Sequence, residues 1–273
     1  MEPKETRSME MIETFESEDR LGRSPTNRSL VRGIDILRAF RPGSNWLGNS
    51  ELAERTGLSP STVSRLTQTL VMTGMLQHDH HRRAYRLAPP VLSFAHAMRT
   101  GSTVLAMAAP RMRALAESQR INVGLAAPDK DEMVYLESIR YNRRVALRNV
   151  VSGQRVPMEL TSLGRAYLST VSAARKRLLF AAFERRCGSH WGEVRGDIND
   201  AVKLVNAQGF CAASWQPEVV AVAAPLPTFE GIYVLNVSVS TDEPMVHVVR
   251  QLAPPLMALV AQLQTELARL GEP

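Results

Sequence analysis

From residue 29 onward, apolar positions recur first every three to four residues and then in short paired runs. Leu30, Ile34, Leu37 and Phe40 fall on one face of a helix that stops near Pro42-Gly43. A second short helix follows, with Ser50 as N-cap for residues 51–56 and Gly57 as its end. A third starts with Ser59 as N-cap and Pro60 at its first position, and Leu58 can staple onto Val63. It runs to about Thr73, where Gly74 suits a left-handed cap. Leu76-Gln77-His78 and Tyr85-Arg86-Leu87, separated by DHHRR, predict the two strands of a hairpin.

Residues 89–100 (PPVLSFAHAMRT) predict a linking helix, broken at Gly101. Beyond it the pattern mixes helix and strand. A helix is expected over about 103–119, then strands at INVGLAA, EMVYLESI and VALRNV, the first two joined by the turn residues PDKD. Helices follow at 162–171, 173–186 and 196–208. Two more strands, VVAVAAPL and GIYVLNVSVS, precede a C-terminal helix striped by Leu256, Leu259, Leu263, Leu267 and Leu270. Strands and helices that do not alternate strictly predict an α+β domain around an antiparallel sheet. The expected organisation is a polar, disordered tail at 1–26, a winged helix-turn-helix at 27–88, a linker helix at 89–101 and a second domain at 102–273.

Composition narrows the class. In 273 residues, 44% are hydrophobic and 22% charged, which excludes a disordered or collagen-like chain. No apolar run approaches the roughly 20 residues of a bilayer-spanning helix, and the charged N-terminus lacks the apolar stretch of a secretory signal. Cys187 and Cys211 are too few for a disulfide framework or a thiolate zinc site. A cytoplasmic protein is expected.

Charge is uneven. Residues 1–26 carry seven acids and four bases, whereas residues 27–99 carry ten arginines and four acids. An arginine-only basic segment suits a phosphate-facing module, although a solvated basic face has the same composition. The helix pair at 50–73 separates the two readings. Ala53 supplies the small side chain that a steep helix crossing needs, and Gly57 the positive φ of the turn. Val63, Leu66 and Leu70 bury one face of the second helix. Ser61, Thr62, Ser64, Arg65, Gln68 and Thr69, behind the cap Ser59, form the other. An ordinary solvated face mixes Glu with Lys, and this one carries no acid. Such a face can enter a major groove, with Arg65 and Gln68 placed to grip guanine and adenine. His81, Arg82, Arg83 and Arg86 lie at or beside the hairpin tip, where a wing tracks phosphates or a minor groove. His78, His80 and His81 lack the further ligands of a metal set, so no metal site is expected.

The stretch SELAERTGLSPSTVSRLTQTLVMTGML, followed by a basic hairpin ending YRLAPPVL, resembles the winged helix-turn-helix of the IclR family of bacterial transcriptional regulators. YLESIR, LRNVVSGQRVPMELTSLGRAYL, VAVAAPL and VLNVSVS resemble successive landmarks of that family's GAF-like effector domain. The resemblance runs from about residue 28 to the C-terminus. It implies a homodimer or dimer of dimers on a palindromic or near-palindromic DNA operator. A carboxylate-type effector is then expected to bind two arrangements of the oligomer with different affinity, the linker at 89–101 passing that difference to the spacing of the recognition helices.

An effector site is expected among those landmarks. Thr161 and Ser162 open a helix, whose free N–H groups and partial positive charge suit a carboxylate, although Thr161 would equally serve as a plain cap. Asn236, Ser238 and Ser240 recur with period two and share a strand face, either polar lining or solvent-facing; Leu235, Val237 and Val239 take the other. Met158 and Leu160 would line the pocket or the core, and Trp215 would face an aromatic ligand or fill a core or interface position. The chain departs from the family pattern in two places. Ala221 stands where many members have a cysteine, and CAASWQPE stands where an acidic segment precedes it.

The sequence holds no nucleophile elbow, glycine-rich phosphate loop or metal triad, and Cys187 with His190 reads as a surface loop. No catalysis and no cofactor are expected. The expected function is a sequence-specific transcriptional regulator controlled by a small organic acid, aromatic or short-chain. The alternative is an architectural DNA-binding protein whose second domain only oligomerises.

Overall fold

The computed structural model of the chain describes residues 27–141 and 151–270. The chain divides into two compact units that meet between Gly101 and Ser102. The first contains α1 (Arg28–Ala39), β1 (Leu47–Gly48), α2 (Asn49–Thr56), α3 (Pro60–Met72), β2 (Leu76–Asp79), β3 (Ala84–Leu87) and α4 (Pro90–Gly101). Its strands form an antiparallel sheet in the order β1-β3-β2. The core joins Ile36, Phe40, Leu47, Leu52, Val63, Leu76 and Tyr85.

Two local expectations change here. The α1 face that turns inward is Gly33, Ile36 and Ala39, with Phe40 just beyond, while Leu30, Val31 and Ile34 are exposed. This helix is apolar on two sides, so periodicity alone cannot say which side meets the core. The cap of α2 is Gly48 rather than Ser50: the Glu51 carboxylate accepts from the Gly48 N–H at 3.0 Å, which starts the helix two residues earlier.

The second unit contains α5 (Thr103–Gln119), β4 (Asn122–Asp129), β5 (Glu132–Ile139), β6 (Arg155–Pro157), α6 (Ser162–Tyr167), α7 (Ala173–Cys187), α8 (Trp191–Gln208), β7 (Cys211–Gln216), β8 (Val219–Thr228), β9 (Gly231–Ser240) and α9 (Met245–Leu270). Its six strands are antiparallel in the order β6-β5-β4-β9-β8-β7. One sheet face, with Val123, Leu125, Val222, Leu235 and Val237, is covered by α5 and α9. The other, with Ala126, Tyr135, Cys211, Ala223 and Val234, is covered by α6, α7 and α8. This is an α+β fold with helices on both faces of a fully antiparallel sheet.

Several boundaries move for physical reasons. Helix α6 stops at Tyr167 rather than 171, because the Ser169 and Thr170 hydroxyls donate to the carbonyls of Ala166 and Tyr167, both at 2.7 Å, and end the ladder. Helix α8 starts at Trp191, not 196, continuing from a 3-10 turn at Gly188–His190; Gly192 and Gly196 hide its start from propensity. The turn PDKD shrinks to Lys130 and Asp131, with Lys130 at φ 57°, so β4 continues through Asp129. Leu270 is exposed, while Leu256, Leu259, Leu263 and Leu267 are buried. Strands β1, β6 and β7 had no expectation. The run VALRNV and the tail at 1–26 lie outside the described residues. Among the described residues, no helix is long and apolar enough to cross a membrane.

Candidate nucleic-acid interface and effector site

The α2–α3 pair is set by backbone chemistry. Gly57 takes φ 68° and its N–H closes α2 on the Ala53 carbonyl. Arg55 ties the pair to α1, donating from Nη1 to the Ala39 carbonyl at 3.0 Å and to Ser44 Oγ at 3.1 Å. Ser59 caps α3: its Oγ accepts from the Thr62 N–H at 3.4 Å and lies 3.2 Å from Ser61 Oγ and 2.9 Å from Thr62 Oγ1. Pro60 occupies the first helical position, as the sequence predicts.

On α3, Val63 and Thr67 are fully buried, with the Thr67 hydroxyl donating to the Val63 carbonyl at 2.9 Å. Ser61, Arg65, Gln68 and Thr69 are exposed, and Thr62 and Ser64 are half-buried. At 100° per residue, the four exposed side chains share an arc of about 100°. No side-chain hydrogen bond or ion pair among the described residues holds Arg65 or Gln68.

The β2–β3 hairpin turns at residues 80–83, with Arg83 at φ 52°. Asp79 fixes the turn: its Oδ1 accepts from the backbone N–H of His81 at 2.9 Å and Arg82 at 3.0 Å. Those bonds, the one from Arg82 foremost, hold its carboxyl below the usual range. His81, Arg82 and Arg83 are exposed on this turn. Arg86 sits on β3 itself, where its Nε donates to the register partner Gln77 at 2.8 Å. The guanidinium carbons of Arg82 and Arg86 lie 5.4 and 5.0 Å from the ring centre of Trp46. Sequence reasoning missed Trp46, because a lone aromatic outside any periodic run carries no positional signal. His78 stacks on Tyr85 at 4.6 Å and meets His80 edge-on at 4.5 Å. No cluster of three or more potential metal ligands occurs among the described residues.

In the second unit, the cap residue Thr161 is buried. Its hydroxyl donates to the Pro157 carbonyl at 2.7 Å and accepts from the Gly164 N–H at 3.2 Å. Ser162 is buried beside it, its carbonyl taking the Cys211 thiol at 3.5 Å. Burial pushes that thiol up to about 12. Met158 is fully buried and Leu160 half-buried. Gly164 is required, because a Cβ there would run into the Met158 backbone.

Across the sheet, Gly124, Asn236, Ala223 and Cys211 stand in one register row, and Asn122, Ser238, Ala221 and Ala213 in the next row on the same face. Two strand spacings, about 10 Å, separate Asn236 from Cys211. Asn236 is 5% exposed, and its Oδ1 finds no hydrogen-bond partner among the described residues. A Cβ on Gly124 would collide with that oxygen and with the Tyr135 ring. Burial pushes the Tyr135 phenol up to about 12, opposed by the neighbouring Asn236 amide. Ala221 is buried and Ser238 half-buried, while Ser240 is exposed at the strand end. Trp215 is half-buried at the edge of the core cluster under α7 and α8. Tyr135 and Gly124 escaped the sequence reading, because only the sheet register brings them to Asn236.

Residues 29–80 match the IclR helix-turn-helix domain, and residues 96–265 match the family described as Bacterial transcriptional regulator IclR C-terminal. The chain is 33% identical over 186 residues to the HTH-type transcriptional regulator TsaQ1/TsaQ2 of Comamonas testosteroni, covering 67% of this chain and 66%, just under two thirds, of that relative. It is similar to the crystal structure of an IclR family transcriptional regulator from Brucella abortus, at 30% identity and TM-score 0.79, covering 92% of this chain and 95% of that one. An IclR homologue from Microbacterium hydrocarbonoxydans, solved in complex with 4-hydroxybenzoate, shares the fold at 19% identity and TM-score 0.63, covering 87% and 99% of the two chains.

Proposed function

The chain belongs to the IclR family of bacterial transcriptional regulators, and from that premise we propose that it reads an operator with α3 and answers to a small organic acid in its second unit. Regulators of this family are DNA-binding transcription factors and not enzymes. The observation that carries the proposal is the exposed, acid-free face of Ser61, Arg65, Gln68 and Thr69 behind the Ser59 cap. Arg65 and Gln68 are the base readers, and the exposed His81, Arg82, Arg83 and Arg86 contact the sugar-phosphate backbone.

The effector reading rests on Asn236. A buried amide oxygen without a partner is costly, and a ligand hydroxyl or protonated carboxyl would satisfy it. Met158, Leu160, Ser162, Trp215, Ala221 and Ser238 are its proposed surroundings, with Thr161 holding the helix start and Ser240 at the rim. The 4-hydroxybenzoate complex of similar fold favours an aromatic hydroxy acid over a short-chain acid. A homodimer, or a dimer of such dimers, on a palindromic or near-palindromic site accords with the exposed Leu30, Val31 and Ile34 of α1. It accords equally with α4, which exposes Leu92, Phe94 and Met98 and has no buried position among the described residues.

Fluorescence anisotropy on the DNA immediately upstream of the protein's own gene, at two salt concentrations and with a panel of aromatic and short-chain carboxylates, tests the proposal. Saturable binding that exceeds binding to random DNA and shifts with one acid is the expected result. Binding that no acid alters favours the architectural reading, and failure to bind any DNA at low salt overturns the proposal.

A further inference from the structure

Two exposed arginines of the hairpin lie against one aromatic ring. Arg82, with 64% of its side chain exposed, keeps its Nε 3.6 Å from Asp79 Oδ2. Arg86 donates its Nε to Gln77 at 2.8 Å. Each guanidinium also lies within stacking range of the one indole ring, Trp46, which is half-buried just ahead of β1. Arg86 is therefore hydrogen-bonded at its inner nitrogen, Arg82 is ion-paired there at longer range, and both guanidinium groups lie against the same indole ring. No hydrogen bond or ion pair among the described residues engages their terminal Nη nitrogens.

That division has a chemical consequence. A guanidinium binds a phosphate through a fork of parallel N–H donors, and the terminal nitrogens supply that fork. An arginine fixed at Nε and over an aromatic face has given up much of its rotamer freedom before the ligand arrives, so less is lost on binding. Arg83, at the same tip, is exposed and lies over no ring among the described residues. We infer that Trp46 is a positioning residue that sets Arg82 and Arg86 as a paired clamp for successive phosphates of the DNA backbone. Trp46 itself need not touch DNA. The inference rests on the proposed reading of the hairpin as a DNA-facing wing, and the experiment separates the two.

Because phosphate contacts do not depend on sequence, a random 30-base-pair duplex suffices as the probe, with affinity measured over a series of KCl concentrations. Each lost phosphate contact lowers the slope of log affinity against log salt by about 0.9. The double variant Arg82→Ala, Arg86→Ala should lower it by about two contacts for each bound wing, hence about four for a bound dimer; an unchanged slope overturns the wing reading and the clamp with it. Trp46→Ala should weaken binding by about tenfold in the wild-type background and by less than about twofold in the double variant. Trp46→Phe, which keeps an aromatic face, should retain most of the affinity. The same fold loss in both backgrounds, or no loss at all, overturns the clamp while leaving the wing reading intact. If Trp46→Ala does not fold, the variant Arg82→Lys, Arg86→Lys replaces it, with Trp46 kept in place. Lysine preserves the charge but offers neither fork nor flat stack, so an affinity equal to wild type overturns the clamp and a loss of about tenfold supports it.

Discussion

Glu230 caps a helix whose N-cap, Ser102, lies 128 residues before it: its Oε2 accepts from Ser102 Oγ at 2.8 Å. Its Oε1 takes the N–H groups of Thr103 at 2.6 Å and Val104 at 3.1 Å. The β8–β9 turn therefore supplies a carboxylate to the positive end of α5, at the first residue of the second unit. Burial opposes the charge, but the donors from Ser102, Val104, Tyr233 and Thr103 outweigh it and hold the Glu230 carboxyl below its ordinary value.

A group whose folded value is depressed stabilises the fold above its unfolded value, and that contribution is lost as pH falls through the folded value. Glu230→Gln should therefore lower stability by about 1–2 kcal/mol at pH 7. The gap between wild type and variant should close as the pH drops below the ordinary carboxylate range. Thermal melts across pH 3–7 check this; a gap that stays constant with pH refutes the cap's electrostatic part.

Removing the partner of a buried charge costs more than the pair contributes. Glu159 has a side chain 1% exposed and is held by Arg186 through two bonds of 2.7 Å. Arg186→Ala should destabilise the protein by about 3–5 kcal/mol, whereas Arg186→Ala with Glu159→Gln should recover part of that loss. Urea denaturation of the single and double variants measures both.

Gly164 lies within α6, where helix propensity alone would favour alanine by about 1 kcal/mol. Contact with the Met158 backbone reverses the sign, because backbone cannot move aside as a side-chain tip would. Gly164→Ala should cost about 1–3 kcal/mol, read as a lower denaturant midpoint.

Asn236 separates ligand recognition from folding. Asn236→Leu removes the unpartnered oxygen but also the amide that hydrogen-bonds the buried Tyr135 phenol, so it should be paired with Tyr135→Phe, which removes both polar groups and should let the melting temperature hold or rise. On the proposed reading, the stabilisation that an aromatic hydroxy acid would give the wild type, about 2.7 kcal/mol at 100 times its dissociation constant, should disappear. Thermal shift assays with 4-hydroxybenzoate and short-chain acids read both effects; a variant that still responds to the ligand removes Asn236 from the site.

On α3, Arg65→Ala should cost about 1–3 kcal/mol of discrimination between operator and random DNA, while the salt slope changes little. A uniform loss on both DNAs would mark Arg65 as a phosphate contact instead.

Much of the helix-turn-helix was legible because its signals are local. Gly57, Ser59, Pro60 and Gly74 each act on backbone within a few residues, so their meaning travels with the sequence. The same holds for the alternation of Leu235 and Val237 against Asn236, which a strand imposes whatever it pairs with. Tertiary structure decided the rest. Only docking on α2 and α3 selected Ile36 rather than Ile34 as the buried side of α1, since both sides were apolar. Only register brought Gly124 and Tyr135 to Asn236, and only the hairpin's return placed Arg86 beside Arg82 over Trp46. Caps and periodicity act over one turn of chain, whereas which face is buried, and which distant side chains meet, depends on packing that no local pattern encodes.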